Sequence, residues 1–149
     1  MKTDQLKLGQ KIFEAGEAAN YFYVIKKGSV KLCLEGIPEV SVVEIGEGSY
    51  FGEYELILNE DEQIRTFSCY SNEEQTVVQK ISREVFLDMF INRDRKIGEE
   101  FKNFAKRRAG TIEWNMDQVN ELLKKTSDEL GSNPKLNRMR RFQKMVYTK

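Results

Sequence analysis

The sequence predicts a mainly β chain: a β-roll or jelly roll of about eight short strands, with a short internal helix and amphipathic helices after it. Between residues 6 and 81, aromatic and β-branched runs alternate with Gly- and Pro-containing turns at close, regular spacing. Within those runs apolar residues fall on every second position, the period of a half-buried strand. From Ser82 onward the apolar spacing changes to three and four, which is helical.

Each element follows from these signals. Leu6, Leu8, Ile12 and Phe13 open the pattern, and Tyr21 to Ile25 is aromatic and β-branched, so it favours strand. Lys27-Gly28 breaks it. Val30, Leu32 and Leu34 then share one face of the next strand. Glu35-Gly36-Ile37-Pro38 reads as a turn, Val40 to Ile45 as the returning strand, and Gly46-Glu47-Gly48 as another turn. Further strands are expected at Arg65 to Tyr70 and Thr76 to Ile81. Ser82 is a suitable N-cap for a helix carrying Val85, Phe86, Met89 and Phe90. A second stripe runs Ile97, Phe101, Phe104, Ile112, Met116, Val119, Leu123, and a kink or break is expected where Gly110-Thr111 interrupts it. Gly131-Ser132-Asn133-Pro134 reads as a stop. The division is therefore a domain over 1–130, with roll 6–81 and helices 82–130, and a tail over 131–149.

Composition narrows the function. The chain of 149 residues is 40% hydrophobic, enough for one domain with its own core. No apolar run approaches the ~18 residues of a membrane span, and the start has no signal-like apolar stretch. A cytoplasmic location is expected, with Cys33 and Cys69 as reduced, packed thiols. There is no histidine, which removes His-based catalytic triads and His-based metal sites. A binding module is expected, not an enzyme, with no metal and no cofactor. Charge is uneven: residues 134–149 hold six Lys/Arg and no acid, leaving a net −6 on residues 1–133.

One segment carries chemistry. Tyr50-Phe51-Gly52-Glu53, the apolar Leu56-Ile57-Leu58, and then Arg65-Thr66 resemble the phosphate-binding cassette of cyclic-nucleotide-binding domains. Phe13 to Glu17 and Tyr21 to Val30 are similar to the glycine-punctuated strands that open that family's roll. The resemblance covers about residues 6–92.

The resemblance implies a site for cAMP or cGMP at Gly52, Glu53, Tyr54, Arg65 and Thr66. Gly52 would allow close backbone approach, and the helix start after it would aim N–H groups at the phosphate. Arg65 would supply a forked cation. Glu53 would accept the ribose hydroxyl proton, a bond worth roughly 1.5–3 kcal/mol. Thr66 hints at cGMP. The same residues also read as a buried aromatic before a tight turn and an ordinary Glu53–Arg65 ion pair worth about 0–1 kcal/mol.

Three features depart from the family's pattern. The loop between Glu53 and Arg65 is long and carries Asn59-Glu60-Asp61-Glu62; Glu55 stands where a small residue is usual; Phe67 replaces an alanine. An inward Glu55 carboxylate about 6 Å from a phosphate would repel it by roughly 3 kcal/mol at an effective dielectric near 20. The alternative function is therefore a degenerate, non-binding domain of the same fold that serves as a protein-interaction scaffold.

In this family a helix closes over the base. Phe101 and Phe104 are the candidates for that lid, or else they cover an apolar edge of the roll. Ligand is expected to draw the helices inwards. Trp114 lies off the stripe and is expected at the surface or at a contact with another chain. Partners through the helices would be a protein effector or a second copy. The basic tail could touch an anionic membrane or an acidic partner, or lie solvated. The nineteen residues from Gly131 on are too few for a winged-helix domain, so DNA is not an expected partner.

Overall fold

The computed structural model describes residues 2–57 and 63–126. The acidic run at 59–62, the stop at 131–134 and the basic tail lie outside them.

Among the described residues, eight strands form two antiparallel four-stranded sheets. They are β1 (Lys2–Leu6), β2 (Lys11–Phe13), β3 (Tyr21–Lys27), β4 (Ser29–Leu34), β5 (Ile37–Gly46), β6 (Tyr50–Phe51), β7 (Ser68–Ser71) and β8 (Thr76–Ser82). One sheet has the order β1-β8-β3-β6 and the other β2-β7-β4-β5. The mainly β roll read from the sequence is the fold of the chain. Alternation does what it was expected to do in β4: Val30, Leu32 and Leu34 are buried, with Val30 opposite Ile45 on β5 and Ser71 on β7.

Three strand limits differ from expectation: β1 begins at Lys2, ahead of the expected roll start at residue 6, because it pairs with β8 along its whole length. Ile37-Pro38 belongs to β5 and not to a turn, because Ile37 pairs with Leu34 directly across Glu35-Gly36. Arg65 and Thr66 precede β7, which begins only at Ser68. Gly28, between β3 and β4, has φ +83°, and a Cβ there would meet the Gln75 carbonyl oxygen at 2.6 Å. No other residue type suits that turn.

The core between the sheets gathers Phe13, Tyr23, Ile25, Val30, Leu32, Val42, Phe51, Phe67 and Val78. Tyr23 and Phe51 stack at 4.8 Å. A second cluster outside the first sheet joins Phe22, Phe86, Leu56, Ile57 and Ala105, with Phe90 and Phe101 packed against it. Phe22 stacks on Phe86 at 4.2 Å.

The helical part corrects two expectations. The Val85 to Phe90 repeat is not one α-helix: α2 (Arg83–Phe86), capped by Ser82, runs into a π-helical turn over Leu87–Asn92. The wider turn sets Phe86, Phe90 and Ile91 towards Phe22, and leaves Val85 and Met89 exposed. Asp94 then caps α3 (Arg95–Thr126) through the N–H groups of Lys96 and Ile97. Gly98 lets α3 leave this corner at close range, since a Cβ there would meet the Ile91 carbonyl oxygen at 2.4 Å.

The second correction concerns Gly110-Thr111, where α3 passes without interruption. Ala105, Ala109, Ile112 and Met116 are buried on either side of it. Packing of that face outweighs the ~1 kcal/mol helix penalty of one glycine. The outer face of α3 carries Trp114, 64% exposed, and Leu122. No helix among the described residues is long and apolar enough to cross a membrane.

Candidate functional site

The cassette begins where β6 ends. Gly52 has φ +86°, and a Cβ on it would lie 3.1 Å from the Tyr23 ring and 3.3 Å from Arg65 Nη1. The chain then enters α1 (Tyr54–Ile57), a single turn in which the Leu56 and Ile57 N–H groups donate to the Glu53 carbonyl. Arg65 arrives from the far side of the long loop. Its N–H donates to the Glu17 carbonyl at 2.8 Å, and its carbonyl accepts from Gly16 N–H at 2.8 Å. The backbone of Arg65 is therefore fixed to the Gly16-Glu17 turn before its side chain does anything.

The side chain of Arg65 is 1% exposed. Nη1 donates to the Gly52 carbonyl at 2.9 Å and to Glu55 Oε1 at 2.9 Å, and Nη2 donates to the Tyr21 carbonyl at 2.5 Å. The guanidinium also lies over the Phe13 ring at 4.2 Å. Its charge is met by Glu55, whose own side chain is 7% exposed. Glu53 and Arg65, offered above as an ordinary ion pair, take separate partners.

Glu53 turns the other way. Arg108 of α3 donates from Nη1 to Glu53 Oε1 at 2.7 Å and from Nη2 to Ser49 Oγ at 3.2 Å. The Arg108 guanidinium sits over Phe104 at 4.6 Å and Tyr50 at 5.4 Å. Burial pushes the Glu53 carboxyl above its ordinary value, and the attraction of Arg108 and the residue's own backbone N–H oppose that rise. Burial likewise pushes the Tyr50 hydroxyl up to about 12.

Between cassette, roll and α3 lies a cavity of about 30 Å³ lined by Phe13, Phe51, Glu53, Glu55, Phe67 and Ile112, among others. Small-molecule pockets measure roughly 300–1,000 Å³, so this space suits a water or two. What fills the rest is α3 itself: Ala105, Arg108, Ala109 and Ile112 form one wall. Phe67 both packs in the roll's core and lines the cavity.

Gly52, Glu53 and Tyr54 stand in the cavity wall, while Arg65 reaches the Gly52 carbonyl from outside that wall. Thr66 is half-buried and outside that wall. Phe101 and Phe104, named as base lid, do not line the cavity. Phe101 joins the cluster of Phe22, Phe86 and Phe90, and both rings pack on Tyr50 at about 5 Å. Sequence reasoning missed Arg108 and the small residues beside it. The signal was there: Phe104, Arg108 and Ile112 are spaced four apart, which puts the arginine within the apolar stripe.

Comparison with known proteins gives a consistent picture. The family model described as cyclic nucleotide-binding domain matches residues 3–93. The cAMP-dependent protein kinase regulatory subunit of Debaryomyces hansenii is 31% identical over 104 residues, covering 65% of this chain and 21% of that protein. The chain thus spans about a fifth of that relative. The EAL enzyme Bd1971 in its cAMP-bound form is 26% identical, covers 83% of this chain and 33% of its own, and superposes with a TM-score of 0.56; its cGMP-bound form gives 27%, 83%, 33% and 0.57. The regulatory subunit of a cAMP-independent protein kinase A from Trypanosoma brucei shares the fold at 21% identity, 78% and 39% coverage, and TM-score 0.58.

Proposed function

The chain belongs to the cyclic-nucleotide-binding domain family, and from that premise we propose that it is a non-catalytic regulatory module in which a cyclic nucleotide and helix α3 compete for one carboxylate. The observation that carries this is the 2.7 Å contact between Glu53 and Arg108. A ribose hydroxyl that takes the place of Arg108 at Glu53 Oε1 releases the arginine, and so loosens the wall that closes the cavity. Ligand then drives α3 outward from a helix already seated, the reverse of an inward pull. A ligand shifts such an equilibrium only by its differential affinity for the two positions. Here the difference has a named source.

Bd1971 has been seen with cAMP and with cGMP, so the ligand proposed here is the class, with Arg65 and Gly52 at the phosphate. Output passes through the exposed face of α3 around Trp114 and Leu122 to a protein effector or a second copy. The second reading is the non-binding scaffold, favoured by one observation: Glu55 already neutralises Arg65.

The test is calorimetric titration of cAMP and cGMP into the wild type, Arg108→Ala and Arg65→Ala, with spin-label distances between α3 and β4. Binding that strengthens in Arg108→Ala and disappears in Arg65→Ala, with α3 moving away, is the expected result. Heat with no change in distance would remove the competition; no heat from any protein would leave the scaffold.

A further inference from the structure

Resting on the nucleotide reading above, we infer that Glu55 is a built-in stand-in for the ligand's phosphate: the chain supplies from its own cassette the anion that Arg65 would otherwise take from outside. Geometry carries the inference. Glu55 Oε1 and Arg65 Nη1 lie 2.9 Å apart with both side chains sealed from solvent. Glu55 lines the cavity beside Gly52, and Arg65 lies behind that glycine, with Nη1 3.3 Å from where a Gly52 Cβ would stand. The other faces of the guanidinium are taken by the Gly52 and Tyr21 carbonyls and the Phe13 ring. An incoming phosphate therefore meets a neutral pair and must expel a carboxylate held by a charge-assisted bond.

An ordinary structural ion pair predicts something different. Breaking a buried pair by removing one member leaves an unpaired charge and a weakened fold, and nothing small added to the solution restores it. A stand-in predicts that an anion of the right size does.

The experiment uses the 149-residue chain with Glu55→Ala and, should that variant not fold, Glu55→Gln, which keeps the shape and removes the charge. Thermal midpoints are measured with and without millimolar inorganic phosphate, cAMP and cGMP, and dissociation constants by calorimetry. A Glu55 variant is expected to be raised by phosphate while the wild type is not, and to bind a cyclic nucleotide at least about tenfold more tightly than the wild type, as one charge-assisted bond is worth. Stabilisation by phosphate but by neither nucleotide would keep the stand-in and discard the nucleotide reading. Equal nucleotide affinities for wild type and variant would discard the stand-in and keep the nucleotide reading. A folded variant that responds to no anion overturns the inference outright.

Discussion

Glu53 and Arg108, fifty-five residues apart in sequence, meet at 2.7 Å across the seam between cassette and helix, with side chains only 3% and 12% exposed. At that burial a hydrogen-bonded charge pair is worth about 1.5–3 kcal/mol. A double-mutant cycle of Arg108→Ala and Glu53→Gln, read by urea unfolding, should return a coupling energy in that range. A coupling near zero would mean that this pair adds nothing to the other contacts that hold α3.

The same carboxylate gives a pH signature. Burial holds its pKa in the folded chain above the ordinary carboxyl value, so the folded state holds the proton more tightly than the unfolded one. Stability from this group is full below the unfolded pKa and declines as pH rises through the folded one. Wild type should therefore lose stability relative to Glu53→Gln on going from acid towards neutral pH. Unfolding midpoints of the two proteins across that window check it, other carboxylates cancelling in the difference.

Two glycines should respond in opposite directions. Gly52→Ala forces a side chain into φ +86° against Tyr23 and Arg65 and should cost about 1–2 kcal/mol. Gly110→Ala places a methyl group in open space on an unbroken helix and should add about 0.5–1 kcal/mol. Chemical denaturation of each variant beside wild type decides both.

Cys33 and Cys69 are free and wholly buried, and burial raises both thiols, Cys69 the more strongly. Neither should react with an aromatic disulfide reagent in the folded chain, and both should react once urea unfolds it. Prompt reaction of either thiol under native conditions would contradict the packing of β4 against β7.

These predictions separate what the sequence makes legible from what it does not. The roll was legible because period-2 runs such as Val30, Leu32, Leu34 bury one face whatever else the chain does. Gly52 and Arg65 stand out in the sequence through the cassette's resemblance to the family, and the structure puts the arginine's Nη1 on the Gly52 carbonyl. Glu55 stands out in the sequence as a departure from the family's pattern, but its partner does not. A carboxylate beside a proposed anion site reads as repulsion, whereas in three dimensions it is the arginine's partner. Arg108 is one of three consecutive bases in the sequence, and nothing in its immediate neighbours sets it apart or marks Ala105 and Ala109 as a wall. The π-helical turn was hidden because Val85, Phe86, Met89 and Phe90 suit an α-helix equally well. Only the tertiary demand of Phe22 selects between the two.

Trp114 stands with 64% of its surface free on the outer side of α3, and it is the chain's single tryptophan. The protein thus carries its own optical probe, placed where it ignores one event and registers another. Seating or lifting the inner face of α3 leaves the indole in water, so its emission should stay red-shifted with or without ligand. A polypeptide that covers the outer face would strip that water and move the emission to the blue. Without any added dye, one spectrum reports whether a signal has been passed on, whatever the ligand does.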